Sequence, residues 1–162
     1  MGERPKQPRT VLPLLETPQD AKRRAWVETV RITQLVERQI VAVLGRYALT
    51  LPQFDVIATL RFSEGVTQQE LAERLLVTKG NVTGVLDRLE NLGWVERRPD
   101  AQDRRANRLH LTAAGRRKID AVMPAHDAIV LDAMRGVSDA DVKTFRKVLG
   151  EIERAVREGA SE

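Results

Sequence analysis

Apolar side chains recur at helical spacing along most of this chain and at strand spacing in one short stretch, and the change of period locates the elements. From Ala21 to about Leu49, Val27, Val30, Val41 and Leu44 form one stripe, which Trp26, Ile40, Val43 and Tyr47 broaden. Leu71, Ala72 and Leu75 mark a shorter helix, and Val82, Val85, Leu86, Leu89 and Leu92 mark another from about Lys79 to Leu92. The period then changes. Trp94-Val95-Glu96-Arg97-Arg98 and Asn107-Arg108-Leu109-His110-Leu111 read as two strands around the polar stretch Pro99 to Ala106. Helical spacing returns from Ala113 to about Arg135 and from Ser138 to about Arg157.

Polar residues at the ends of these stripes fix where the helices begin and stop. Thr67 is followed three residues later by Glu70, a pair that satisfies two orphan amides at a helix start. Leu76-Val77 leaves a tight connection to Thr78, a second N-cap, so two short helices meet at a sharp angle. Gly93 is placed to end the second of them in a left-handed cap. Ser138 and Asp141 repeat the box at the last helix, and Pro124 should kink the one before it. Helix, turn, helix, hairpin, helix is the order of a winged helix-turn-helix. The predicted fold is mainly α with a small β-hairpin wing, flanked by N- and C-terminal helices.

The second short helix is the candidate reader. At 100° per residue, its outward face carries Gly80, Thr83, Gly84, Asp87 and Asn91, flanked by Lys79, Asn81 and Arg88. Each interior glycine costs a helix about 1 kcal/mol against alanine. Two glycines one turn apart therefore point to close approach by something outside, such as the floor of a DNA major groove, unless they are merely tolerated or pack against a neighbouring loop. Charge favours DNA. Residues Lys79 to Lys118 hold ten basic and five acidic side chains, a net +5, so the remainder contributes −1 to the overall +4. Positive charge collects where such a fold meets phosphate.

These residues carry a family likeness. The run from Val77-Thr78-Lys79-Gly80-Asn81-Val82-Thr83 through Leu86-Asp87-Arg88-Leu89-Glu90 and Gly93-Trp94-Val95-Glu96-Arg97 to Asp103-Arg104-Arg105 and Leu109-His110-Leu111-Thr112-Ala113-Ala114-Gly115 resembles the MarR family of bacterial transcription regulators. Leu49 to Ile57 resembles the segment that opens that family's second helix, and the likeness covers roughly residues 25 to 155. It implies an obligate homodimer on a pseudo-palindromic operator, usually released by a small molecule or an oxidant. It also implies a wing in which Arg105 enters the minor groove while Asp103 holds its guanidinium. A narrow minor groove attracts arginine, and a guanidinium already paired loses less freedom on insertion. The expected DNA-contacting set is Thr67, Gln68, Thr78, Lys79, Gly80, Asn81, Thr83, Gly84, Arg88, Arg97, Arg98, Asp103, Arg104 and Arg105.

Residues 1 to 20 hold four of the seven prolines and form an expected tail, in which Val11, Leu12, Leu14 and Leu15 offer apolar contacts to a partner subunit. Residues 21 to 162 read as a single domain, with a core at about 52 to 112 and dimerisation helices at about 21 to 49 and 113 to 157. No secretory cleavage pattern and no run of about 20 apolar residues is present, so a cytoplasmic location is expected. Zero cysteines exclude thiol-based sensing. Two histidines, His110 and His126, with no nucleophile elbow, phosphate loop or metal spacing, argue against an enzyme, a cofactor or a metal.

An effector site is harder to locate. The resembled family commonly uses the cavity between dimerisation helices and reader. Thr33, Gln34 and Glu37 interrupt the first helix's apolar stripes, and buried polar groups need partners. Trp26, Arg38, Tyr47 and Phe54 are the candidate walls, and a cationic side chain there suits a carboxylate or acyl thioester, such as an aromatic acid or its coenzyme A ester. Two other readings remain open: a winged helix that docks a partner protein, and an architectural DNA binder with no effector.

Overall fold

A computed structural model describes residues 20–100 and 106–159. The chain forms α1 (Ala21–Arg46), α2 (Leu51–Phe62), β1 (Val66–Thr67), α3 (Gln68–Arg74), α4 (Lys79–Asn91), β2 (Val95–Pro99), β3 (Asn107–Leu111), α5 (Ala113–Met134) and α6 (Asp139–Gly159). It divides into two compact units, Met1–His126 and Asp127–Glu162, and the division falls inside α5, two residues beyond Pro124. The tail expected over residues 1 to 20 lies, apart from Asp20, outside the described residues.

Side-chain caps define the first unit's helices. Asp20 Oδ1 accepts from Arg23 N at 2.9 Å and opens α1. That helix stops at Arg46, three residues short of the expected Leu49, because Ala48 turns to φ 51° and Leu49 N donates back to Leu44 O at 3.1 Å. The chain then bends by 88° into α2. Thr50 and Gln53 form a reciprocal capping box there, and Pro52 sits in the first turn, where its missing N–H costs nothing. The expected box at Thr67 is present, with Glu70 N donating to Thr67 Oγ1 at 3.2 Å and Thr67 N donating to Glu70 at 2.6 Å. Thr78 caps α4, and Gly93 ends it at φ 68°. Between α3 and α4, Leu76 occupies the left-handed region at φ 53°, a position that favours glycine.

The wing is a three-stranded antiparallel sheet in the order β1-β3-β2, where only a hairpin was expected. Val66 pairs with Leu109 and Thr67 with Arg108; on the other side Val95 pairs with Leu111 and Arg97 with Leu109. A two-residue strand has no period to read. The strand bounds shift as well: Trp94 precedes β2, and Pro99 lies within it opposite Asn107, tolerated because β2 is an edge strand.

One core gathers Leu44, Ile57, Leu60, Leu71, Leu86, Leu89, Leu109, Ile119 and Val122, all of them essentially inaccessible to solvent. α2 is buried along much of its length and sits among the others. At the corner where the wing meets α5, Thr112 N donates to Trp94 O at 3.1 Å and Thr112 Oγ1 donates to Gly93 O at 2.6 Å. A Cβ on Gly115 would lie 2.0 Å from Trp94 O, so this close approach of backbones requires glycine.

In the second unit, α6 opens on the expected box, with Asp141 N donating to Ser138 Oγ at 3.2 Å. Val142, Phe145, Leu149, Ile152 and Val156 follow at alternating spacings of three and four, and none of α6 is buried. Among the described residues, no single helix is long and apolar enough to cross a membrane.

Candidate nucleic-acid interface

α4 presents an open face built from small residues. A Cβ added at Gly80 or Gly84 would meet nothing within 4 Å, so neither glycine packs against a neighbouring loop within the described chain. Thr83 stands on the same face and is held: its Oγ1 donates to Lys79 O at 2.9 Å and accepts from Gln68 Nε2 at 2.6 Å. Gln68 Nε2 also reaches Lys79 O at 3.3 Å. The first residue of α3 is thus latched to the first turn of α4.

A cleft of about 350 Å³ between these N-termini and the wing brings together Thr67, Gln68, Lys79 and Arg97, with Asn107 and Leu109 behind them. The first four were expected at the interface from sequence. Thr67 and Thr78 also serve as caps, which leaves each hydroxyl engaged with its own helix. Gly80, Asn81, Gly84 and Arg88 are exposed on α4, but Asn81 lies to one flank, where it lines a different groove.

The basic residues of the wing are more committed than their sequence implied. Arg97 bonds to Asp87 at 2.7 Å and also contacts Glu90, both on α4, and its side chain is only 23% exposed. It braces β2 to α4 and neutralises two carboxylates that would otherwise repel phosphate. Arg98 pairs with Glu96 on its own strand, at 2.5 Å. Arg108, absent from the expected set, anchors the wing root: it pairs with the buried Asp100, donates to Gly65 O at 3.0 Å and lies 3.5 Å from Glu70. Asp100 N donates to Ala106 O at 3.0 Å and closes the loop that carries Asp103, Arg104 and Arg105. Those three expected residues lie outside the described ones. An arginine pairing across the hairpin is invisible to motif reading, although a lone acidic residue facing β3 is a usable signal.

Three carboxyls depart from their ordinary values. The Thr67 backbone N–H, then the Thr67 hydroxyl, hold Glu70 below the usual carboxylate range, with Arg108 and Arg74 adding to the effect against slight desolvation. For Glu64, desolvation is the largest single influence and acts upward. The Leu111 N–H and Arg116 together outweigh it, and the result is a lowered value. That carboxylate clasps the α2–β1 turn to the end of β3 and the start of α5. Burial raises Asp55, Glu37 raises it further, and His126 opposes them.

The expected effector residues do not converge within one chain. Trp26 is 62% exposed near the start of α1, while Tyr47 follows its end. At 1.5 Å per residue the 21 intervening steps place them roughly 30 Å apart. Thr33 Oγ1 bonds back to Thr29 O at 2.9 Å within the helix, Arg38 and Glu37 are exposed, and Gln34 is half-buried. Phe54 belongs to the core and stacks on His126, with ring centroids 4.9 Å apart. Thr33 and Glu37 interrupt the stripes where α1 is open in the single chain. A separate groove of about 380 Å³ lies between α2 and α4, lined by Pro52, Asp55, Val77, Asn81, Val82 and Val85 among others. Sequence reading missed it because its walls come from two helices and the α3–α4 turn, and only Val56 and Val82 among them are buried.

A protein-family model described as the MarR family matches residues 49–106. Over 127 residues the chain is 30% identical to the HTH-type transcriptional regulator PecS of Dickeya dadantii, covering 76% of each. The chain belongs to the MarR family. Its architecture matches solved members of that family. CouR from Rhodococcus jostii RHA1, solved bound to p-coumaroyl-CoA, superposes with a TM-score of 0.75 at 26% identity, over 83% of this chain and 95% of that one. A mutant MarR from E. coli, solved complexed with operator DNA, gives a TM-score of 0.69 at 26% identity over 76% and 89%. The protein is a DNA-binding transcriptional regulator and not an enzyme.

Proposed function

We propose that this regulator binds a pseudo-palindromic operator in double-stranded DNA as a homodimer, acts there as a repressor in the cytoplasm, and is released by a small-molecule effector. The observation that carries the reading is the open face of α4. Gly84 weakens the helix interior by about 1 kcal/mol and Gly80 loosens its first turn, yet none of the described residues occupies the space they leave. A major-groove floor uses that space, with Lys79, Thr83 and Arg88 around it and the latch from Gln68 fixing its angle.

In this account the two-helix N-terminal cleft takes a phosphate strand, with Lys79 as its cation. The wing delivers Arg104 and Arg105 to the neighbouring minor groove, and Asp103 steadies Arg105. Homodimerisation is supported by apolar side chains that one chain leaves in water: Ile32, Leu35 and Val41 on α1, and the three-four stripe of α6. Each such helix needs another surface to cover it. The effector reading draws support from CouR, whose structure holds p-coumaroyl-CoA. An aromatic acid or acyl thioester is the class we propose here too. The groove between α2 and α4 gives such a molecule a place from which to tilt the reading helix.

The test is a titration of the purified protein against a labelled duplex from the DNA upstream of its own gene, at two salt concentrations with excess nonspecific competitor. Binding that survives competitor and weakens steeply with salt is the expected result. Binding that competitor removes entirely, there and across a genomic fragment library, would contradict sequence-specific recognition.

A further inference from the structure

Lys118 stands in the first turns of α5, half-buried, where three elements meet. Its Nζ donates to Tyr47 O at 2.5 Å, the carbonyl that follows the last turn of α1. The same ammonium lies 4.8 Å from the centroid of the Trp94 ring. Trp94 in turn is fixed to the reader: its N donates to Leu89 O at 2.9 Å, at the C-terminal end of α4, and its carbonyl receives Thr112 N. One cation therefore ties the end of the long helix to the hinge from which both α4 and the wing depart.

The chemistry suits lysine at this point. The end of a helix carries partial negative charge on unsatisfied carbonyls, and an ammonium placed there is favoured by the helix dipole and by a direct hydrogen bond. An indole face offers a second attraction for the same charge, strengthened by partial burial. The Arg61–Asp120 pair, which links α2 to α5 nearby, has both side chains about half exposed, and exposed pairs hold geometry weakly.

We propose that Lys118 is a positioning residue that sets the angle of the reading head to α1, and hence the half-site spacing that the regulator accepts. The proposal rests on the homodimeric reading above, in which α1 belongs to the dimer interface. Rotation of the head about the Tyr47–Lys118–Trp94 contact then changes the separation of the two α4 helices without altering any group that touches DNA. Lys118→Met removes both attractions at similar length. Lys118→Arg keeps the charge, can donate to the same carbonyl and stacks well on an indole.

The test measures affinity of the unaltered protein, Lys118→Met and Lys118→Arg for its operator and for duplexes whose half-site spacing is lengthened or shortened by one base pair. The unaltered protein should prefer the native spacing by about tenfold or more, the scale of 1.4 kcal/mol. Lys118→Met should bring the three duplexes within about twofold of one another, and Lys118→Arg should restore most of the preference. A Lys118→Met protein that folds and keeps the full spacing preference overturns the proposal.

Should the methionine variant fail to fold, the unaltered protein labelled with 5-fluorotryptophan decides. It has two tryptophans, Trp26 and Trp94, and the Trp94 resonance is assigned in fluorine NMR with a Trp26→Phe variant. The Trp94 resonance should differ between correctly and wrongly spaced duplexes, and an identical resonance overturns the proposal. Failure of the unaltered protein to bind any operator specifically would instead overturn the proposed function on which this inference stands.

Discussion

Gly84 is the position where stability and function pull in opposite directions. Its added Cβ would meet nothing, and alanine is the better helix former. Gly84→Ala should therefore stabilise the fold by about 1 kcal/mol and raise Tm by roughly 2 to 4 °C. The same methyl lies between α4 and the groove floor, so operator affinity should fall; calorimetry and a DNA titration read the two signs. Arg105→Ala should lower operator affinity by about 1 to 3 kcal/mol, the scale of a specific base contact, and leave the oligomeric state unchanged by ultracentrifugation. Asp55 behaves differently. Its raised pKa means that the folded protein holds this proton more tightly than the unfolded chain does. The stability this provides is full below about pH 3.8, its ordinary value, and is lost as pH rises through the raised value. Asp55→Asn should accordingly raise Tm at pH 7, with the gain fading as the pH falls to that ordinary value; an equal gain at both pH values would contradict desolvation as the cause. The caps at Thr67, Thr78 and Ser138 were legible because their hydrogen bonds are local. The need for Gly115 was not, because the carbonyl of Trp94 that excludes a side chain lies far from it in sequence.

At the scale of elements, α4 and the wing form one reading surface through Arg97. A basic residue on a wing strand reads as a phosphate contact, but this one faces Asp87 and Glu90. The two roles have different signatures. Loss of a phosphate contact reduces the salt slope of log affinity by about one, whereas loss of a brace lowers affinity at constant slope. Arg97→Lys, which keeps the charge but cannot span both carboxylates, should weaken operator binding several-fold with the slope unchanged, and unaltered affinity would return Arg97 to the DNA-contacting set. The element boundaries show where periodicity stops being informative. Long stripes located α1, α4, α5 and α6 to within a few residues. The two-residue β1 escaped, and so did the fate of Pro99, since an edge position and not the residue itself decides whether proline fits a strand. The start of α2 was read through family likeness, because a helix buried on several faces has no polar side to set its phase, although Thr50 and Gln53 offered the same local box as Thr67 and Glu70.

At the scale of the whole molecule, the homodimer we propose would give the exposed apolar faces a cover. One chain buries a single core around α2, the sheet and α4, and leaves apolar positions on α1 and α6 in water. The broad apolar surface of the first helix was readable in the sequence and led to the expectation of a dimer interface. The sequence did not show which residues a ligand would meet, since Trp26, Arg38 and Tyr47 were grouped on one helix without regard to their separation along it. In the proposed homodimer, two readers at a fixed distance would make recognition depend on spacing as well as on bases, and a ligand that tilts α4 would release the complex. Hydroxyl-radical footprinting of the regulator on the DNA upstream of its own gene tests this most directly. Two related protected segments are expected, centred about one helical turn apart, roughly 34 to 36 Å, on the same face of the duplex, with minor-groove protection flanking each. A single protected segment, or a continuous footprint with no repeat, would contradict it.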